Sequence, residues 1–152
     1  MNRETFQTRR RTPDTIRSRA PDYDPFAVIQ GRLRPFPHAR YEASENSIEV
    51  YPVAIGGFRV AFRELEDSFQ VACDGWYAHF EFADEAVTCF LQALSPAVRL
   101  RVVFRGQTPC RWQLEVRGAE HWQSLAERAR LLTPFWRRPS VVYLQNHLLE
   151  AA

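Results

Sequence analysis

The sequence predicts an α+β domain: an antiparallel sheet of about five to six strands with two helices on one face, behind an irregular basic N-terminal arm. Three observations lead there. Apolar and polar residues alternate over 98–104 and 112–117, the two-residue period of strands with one covered face. Asp74-Gly75 sits between two such runs as a tight hairpin turn. Pro13, Pro21, Pro25, Pro35 and Pro37 interrupt any sustained helical period in the first 45 residues.

This divides the chain into an arginine- and proline-rich arm over 1–45 and a single domain over 46–152. The arm's tip, 1–20, is expected to be mobile. Residues 22–41 are expected to lie in an extended form against the domain or a partner, through Tyr23, Phe26, Val28, Ile29, Leu33, Phe36 and Tyr41.

The body opens with a strand over 48–54, which Pro52 marks as an edge or a bulge. Gly56-Gly57 supplies a turn. Phe58, Val60 and Phe62 then alternate with Arg59, Ala61 and Arg63. A strand over 69–73 leads into the Asp74-Gly75 turn. On the return strand Trp76, Ala78, Phe80 and Phe82 share one face, and Tyr77, His79 and Glu81 the other.

Asp84 is placed to cap a helix whose stripe is Ala86, Val87, Phe90, Leu91 and Leu94, and Ser95-Pro96 ends it. The 98–117 hairpin follows, closed by Gly106-Gln107-Thr108-Pro109. Gly118-Ala119 then opens a second helix, with Trp122, Leu125, Ala126, Ala129 and Leu132 inward. Phe135-Trp136-Arg137-Arg138-Pro139 reads as a loop. Residues 140–145 are rich in β-formers and suit a last strand, with a helix through Leu149 as the competing reading.

Composition narrows the chemistry. The chain has 152 residues, 45% of them apolar, enough for a substantial core. No apolar run reaches the ~20 residues of a membrane helix. The polar N-terminus lacks the apolar stretch of a signal peptide, so a cytoplasmic protein is expected, with no membrane partner. Cys73, Cys89 and Cys110 are odd in number and show no CxxC spacing, which points to small buried hydrophobes.

All basic side chains are arginine. A GC-rich genome would give that bias, and a bacterial source is expected. The bias rules out a Schiff-base or phosphate-loop lysine among these residues. Net charge is +2. Residues 1–40 carry nine Arg against four acids (9 − 4 = +5), and 41–152 carry eleven Arg against fourteen (11 − 14 = −3).

Three groups of residues are binding candidates. Arg99, Arg101 and Arg105, with Arg111, Arg117, Arg59 and Arg63, form a basic sheet face suited to phosphate oxygens. Interleaved Glu115, Glu64 and Glu66 would make the same face an ordinary mixed-sign surface. Arg9, Arg10 and Arg11, with Arg17 and Arg19, form a basic tail able to reach along nucleic acid or an acidic partner. Trp136, Arg137 and Arg138, beside Phe135, have the composition of a protein-interaction hot spot, unless the aromatics fold back into the core.

No catalytic, metal or cofactor motif is recognised. His79-Phe80-Glu81 followed by Pro109-Cys110 resembles the zinc nucleobase deaminase signature. Gln113 replaces its last ligand and the His lies in a strand pattern, so the match is rejected. The order strand–helix–hairpin–helix resembles secretion-chaperone-like α+β folds. Those begin with a helix, which the proline-broken arm does not provide.

The function reading is a small non-catalytic protein-interaction module, of adaptor, chaperone-like or immunity type, whose partner is another protein. The alternative is a nucleic-acid-binding protein using the arm and the hairpin arginines. An enzyme with a site near His79 and Glu81 comes third. Nothing in the sequence specifies an oligomeric state. If the arm carries nucleic-acid affinity, deleting residues 2–20 should lower binding and flatten its salt dependence in a gel-shift titration. Unchanged binding and slope would remove that role.

Overall fold

The computed structural model describes residues 22–149. The expected mobile tip, with Arg9, Arg10 and Arg11, lies outside the described residues. The first element is a helix, α1 (Pro25–Leu33), where an extended segment was expected. Asp24 accepts hydrogen bonds from the Phe26 and Ala27 N–H groups, at 3.0 and 3.2 Å. Pro25 occupies the first turn, where a missing N–H costs nothing. The proline read as a breaker is therefore a helix starter. Ile29 and Leu33, one turn apart, are buried on the core side.

Five antiparallel strands follow in sequential order: β1 (Arg40–Ala43), β2 (Ser47–Tyr51), β3 (Val60–Glu64), β4 (Phe69–Cys73) and β5 (Trp76–Phe80). β2 ends just before Pro52 and lies inside the sheet, so the proline marks its end rather than an edge strand. Ile48, Val50, Val60, Phe62, Phe69, Val71, Cys73 and Trp76 are buried on one face. Helix α2 (Ala83–Ala93) covers that face with α1 beside it. Phe62 is the hub of this layer, with ring centroids of Phe26, Phe69 and Phe90 at 5.4, 5.8 and 6.1 Å. The α2 N-cap is Phe82, and Asp84 and Glu85 fall in the first turn, where their charge suits the helix dipole.

The remaining strands form a second sheet, where one sheet was expected. They are β6 (Val98–Arg105), β7 (Thr108–Arg117), β8 (Trp122–Ala129) and β9 (Pro139–Gln145), ordered β8-β7-β6-β9. The helix expected over 118–132 is thus a strand. Its Ala, Leu, Glu and Arg favour a helix locally, but the Gly118 turn, closed by Gly118 N–H to the His121 carbonyl, folds the chain back onto β7. Backbone bonds to β7 then override propensity. The order of elements that resembled secretion chaperones goes with that helix. β9 is a strand, not the competing helix.

The Asp74-Gly75 turn joins β4 to β5 where expected, but only Asp74, at φ 49°, takes a positive φ; Gly75 does not. Gly75 is required by packing, because a Cβ there would fall inside the Trp112 ring across the sheets. Trp76 donates its indole N–H to the Ala126 carbonyl of β8 at 3.2 Å, a second tie between the sheets.

The strongest tie is Asn146, just after β9. Its Oδ1 accepts the Phe58 N–H at 3.1 Å, and its Nδ2 donates to the Phe58 and Ala93 carbonyls at 2.9 and 3.0 Å. The side chain is buried, and a Cβ on Gly57 would meet Oδ1 at 2.7 Å. Replacing Asn146 with Ala leaves three buried main-chain groups without this partner, and the expected loss is about 2–4 kcal/mol. The check is a urea midpoint that falls at constant slope. A loss below about 0.5 kcal/mol would show that water replaces the carboxamide.

Candidate protein-interaction surface

Alternation along β6 and β7 turns Val98, Leu100, Val102 and Leu114 to the core and sends Arg99, Arg101, Val103, Arg111, Gln113 and Glu115 to the opposite face. Register then decides how bare those arginines are. Arg99 lies opposite Glu115 and pairs with its carboxylate. Its guanidinium also stacks on Trp122 and Tyr143, 4.4 and 4.1 Å from the ring centroids. Arg101 donates to Gln113 at 3.5 Å, and Arg105 to the Arg137 carbonyl at 3.3 Å. All three are half-buried.

The other arginines follow the same rule. Arg111 pairs with Glu127 at 3.0 Å and Arg59 with Glu49 at 2.9 Å. Arg63 donates to Gln70 at 3.1 Å, and Arg117 lies over Trp122. The face is a lattice of charge-matched and aromatic-stacked neighbours.

Residues 130–138, between β8 and β9, form the most apolar exposed segment described. Leu131 is fully exposed, Leu132 is 90%, Phe135 77% and Trp136 71% exposed. Leu132 was expected inward on a helix and points to solvent instead. Phe135 and Trp136 do not close the core; they pack edge-to-face on each other at 5.3 Å. Arg130, Arg137 and Arg138 are exposed around them.

The base of the loop is held. Gly106 N–H donates to the Arg138 carbonyl at 3.1 Å, and Phe135 and Arg137 N–H groups close turns onto the Thr133 and Pro134 carbonyls. Sequence reasoning found Trp136, Arg137 and Arg138 from their composition. It did not single out Leu131, and it had assigned Leu132 to the inward face of a helix.

The third reading names His79 and Glu81, which follow one another on one side of β5 and the residue just after it. His79 is exposed and shares a hydrogen bond of 3.1 Å with the Gln70 carboxamide. A cleft of about 520 Å³ between α2, β5 and β8 is lined by Trp76, Ala78 and Phe80, the face of β5 opposite His79. Cys110 lies in the second sheet and His79 in the first. Among the described residues no cluster of three or more His, Cys, Asp and Glu could hold a metal ion.

Burial pushes the Cys73 thiol well above its usual range and the Cys89 thiol up to about 12, so both favour the unreactive thiol form. Among the described residues no helix is long and apolar enough to cross a membrane. No family model, curated protein or solved structure matches this chain.

Because Trp136 packs outside the core, Trp136→Ala should change stability by no more than about 0.5 kcal/mol. Trp76→Ala, by contrast, removes a fully buried side chain and should cost about 3–5 kcal/mol. Thermal melts of the two variants side by side test the assignment. A large loss at Trp136 would place that ring in the core.

Proposed function

We propose that the protein is a non-catalytic protein-interaction module that engages a partner protein through the 130–138 loop. The observation that carries this reading is the exposure of Leu131, Leu132, Phe135 and Trp136 together on a loop anchored at its base. Contiguous apolar surface of this kind is rare on a monomer unless something covers it. Aromatic anchors flanked by arginine are the residue types that dominate interface energies. The fitting partner offers an apolar pocket bordered by carboxylates, which would take the rings and pair with Arg130, Arg137 and Arg138.

The sheet arginines contribute less to this reading, since neighbours within the fold already occupy them. The test places a photocrosslinking residue at position 136 in the full chain, expressed in its native host. A discrete adduct with another protein is expected, and Leu132→Glu combined with Phe135→Glu should abolish it. Two outcomes overturn the reading. One is an adduct no stronger than that from a crosslinker at Glu45, on the β1–β2 turn. The other is an adduct that nuclease destroys, which would favour nucleic acid.

A further inference from the structure

The two sheets present four edge strands, and they are not alike. β1 carries Arg40 and Glu42, and β8 carries Glu127 and Arg128. Charges on an edge discourage another strand from pairing there. β5 lies against β8, where Trp76 bonds to Ala126. β9 reads Pro-Ser-Val-Val-Tyr-Leu-Gln and has no charge at all. Val141 and Val142 are each 42% exposed and Tyr143 51%, so both faces of this edge show apolar surface.

The backbone of that edge can be read group by group. Gln145 N–H points away from β6 and donates to the Gly56 carbonyl at 2.8 Å, while the Arg138 carbonyl points inward to Gly106. Antiparallel pairs alternate between bonded and non-bonded. Both contacts therefore set the same parity: Ser140, Val142 and Leu144 bond to β6, and Pro139, Val141 and Tyr143 turn their groups outward. The open donors are Val141 N–H and Tyr143 N–H. Pro139 offers a carbonyl only, and Gly56 closes the edge at Gln145.

We propose that β9 is a homodimerisation strand, along which two copies of the chain pair antiparallel with Val141 on the twofold axis. The register follows from the open groups. With Val141 facing its counterpart, the two Val141 residues exchange N–H to carbonyl bonds, and each Tyr143 N–H donates to the other copy's Pro139 carbonyl. Every open donor is used; the Tyr143 carbonyl faces the ring nitrogen of the other copy's Pro139, which has no N–H to give, so this pair makes one bond instead of two.

Centring on Val142 or Tyr143 would press Pro139 or Val141 against Gln145, where Gly56 already sits. Side chains agree with the Val141 register, since Val141 meets Val141 and Tyr143 meets Pro139 on one face. Such a pairing is isologous and closes on itself, leaving the charged β8 edges outermost. The bonded pairs end at Pro139, so the proposal does not rest on the loop reading, although the register sets Arg138 and Arg137 of the loop beside Leu144 and Gln145 of the other copy.

Sedimentation over a wide concentration range, with the full chain, tests this. The wild type should dimerise reversibly. Val141→Lys and Val141→Glu, each checked for an unchanged melt, should each be monomeric because like charges face each other on the axis. An equal mixture of the two should dimerise again, because residue 141 faces itself in this register alone.

In the wild type, hydrogen exchange at the Val141 and Tyr143 amides should slow at least tenfold from the monomer to the dimer range. A wild type monomeric throughout would overturn the proposal, and so would single variants that dimerise as well as it does. A mixture that stays monomeric, or amides whose exchange ignores concentration, would do the same. Loss of crosslinking at position 136 with dimerisation intact would sink the loop reading alone.

Discussion

The Asn146 side chain joins three stretches of chain that nothing in local sequence brings together. It follows β9 of the second sheet, clasps Phe58 at the entry to β3 of the first, and caps the carbonyl of Ala93 at the end of α2. A carboxamide is the group this position calls for, because it donates and accepts at once without charge. An aspartate would turn two lone pairs toward two carbonyls, and a leucine would leave a main-chain N–H and two carbonyls buried. Neighbouring bonds reinforce the junction: Gln145 reaches Gly56 and Pro96, and Leu149 N–H reaches the Leu94 carbonyl. The relation between the two sheets, and so the position of β9 and the loop before it, depends on this short segment.

How legible the fold was depended on whether a signal was local. Alternation in 98–117 and the Asp74-Gly75 turn depend on neighbours in sequence, and those strands form where expected. The stripe of α2 did likewise. The start of α1 was also written locally, as Asp24-Pro25 with Ile29 and Leu33 one turn apart, but proline was weighed as a breaker without asking which helical position it held.

The segment 122–129 is a different case. Its spacing fits a helix well, and what overrides it is the bonding capacity of β7, a non-local fact. Once that stretch is a strand, the second sheet follows and the single sheet does not. Gly75 shows the same limit, since its need for a missing Cβ arises from Trp112, far along the chain.

The binding candidates divide along the same line. That Phe135, Trp136, Arg137 and Arg138 share a proline-bounded loop is visible in sequence, and only their exposure needed a structure. For the sheet arginines the decisive fact is register. Arg99 meets Glu115 because the hairpin sets them opposite, despite a bulge nearer the turn. Arg111 meets Glu127 only because β8 is a strand. A count of positive residues on one face overstated its bare charge, as each guanidinium has a carboxylate, amide, carbonyl or aromatic ring within reach. Such surface pairs add little stability, but they reduce the field available to an outside phosphate.

The exposed apolar stretch from Leu131 to Tyr143 is not a symptom of a poorly filled core. Trp76, Phe58, Phe62 and Phe90 are all buried, and the helices already cover the first sheet. Nor are the loop residues free to fold inward. Gly106 holds the Arg138 carbonyl, the side chain of Arg137 lies across Gly106, and Pro139 begins the strand directly afterwards. Between the end of β8 and that anchor the chain must also cross the ends of β7 and β6 to reach β9. β9 is held as firmly from the other end, by Gln145 and Asn146. The same latch that stabilises the fold therefore keeps the apolar 130–138 loop and the uncharged β9 edge facing outward.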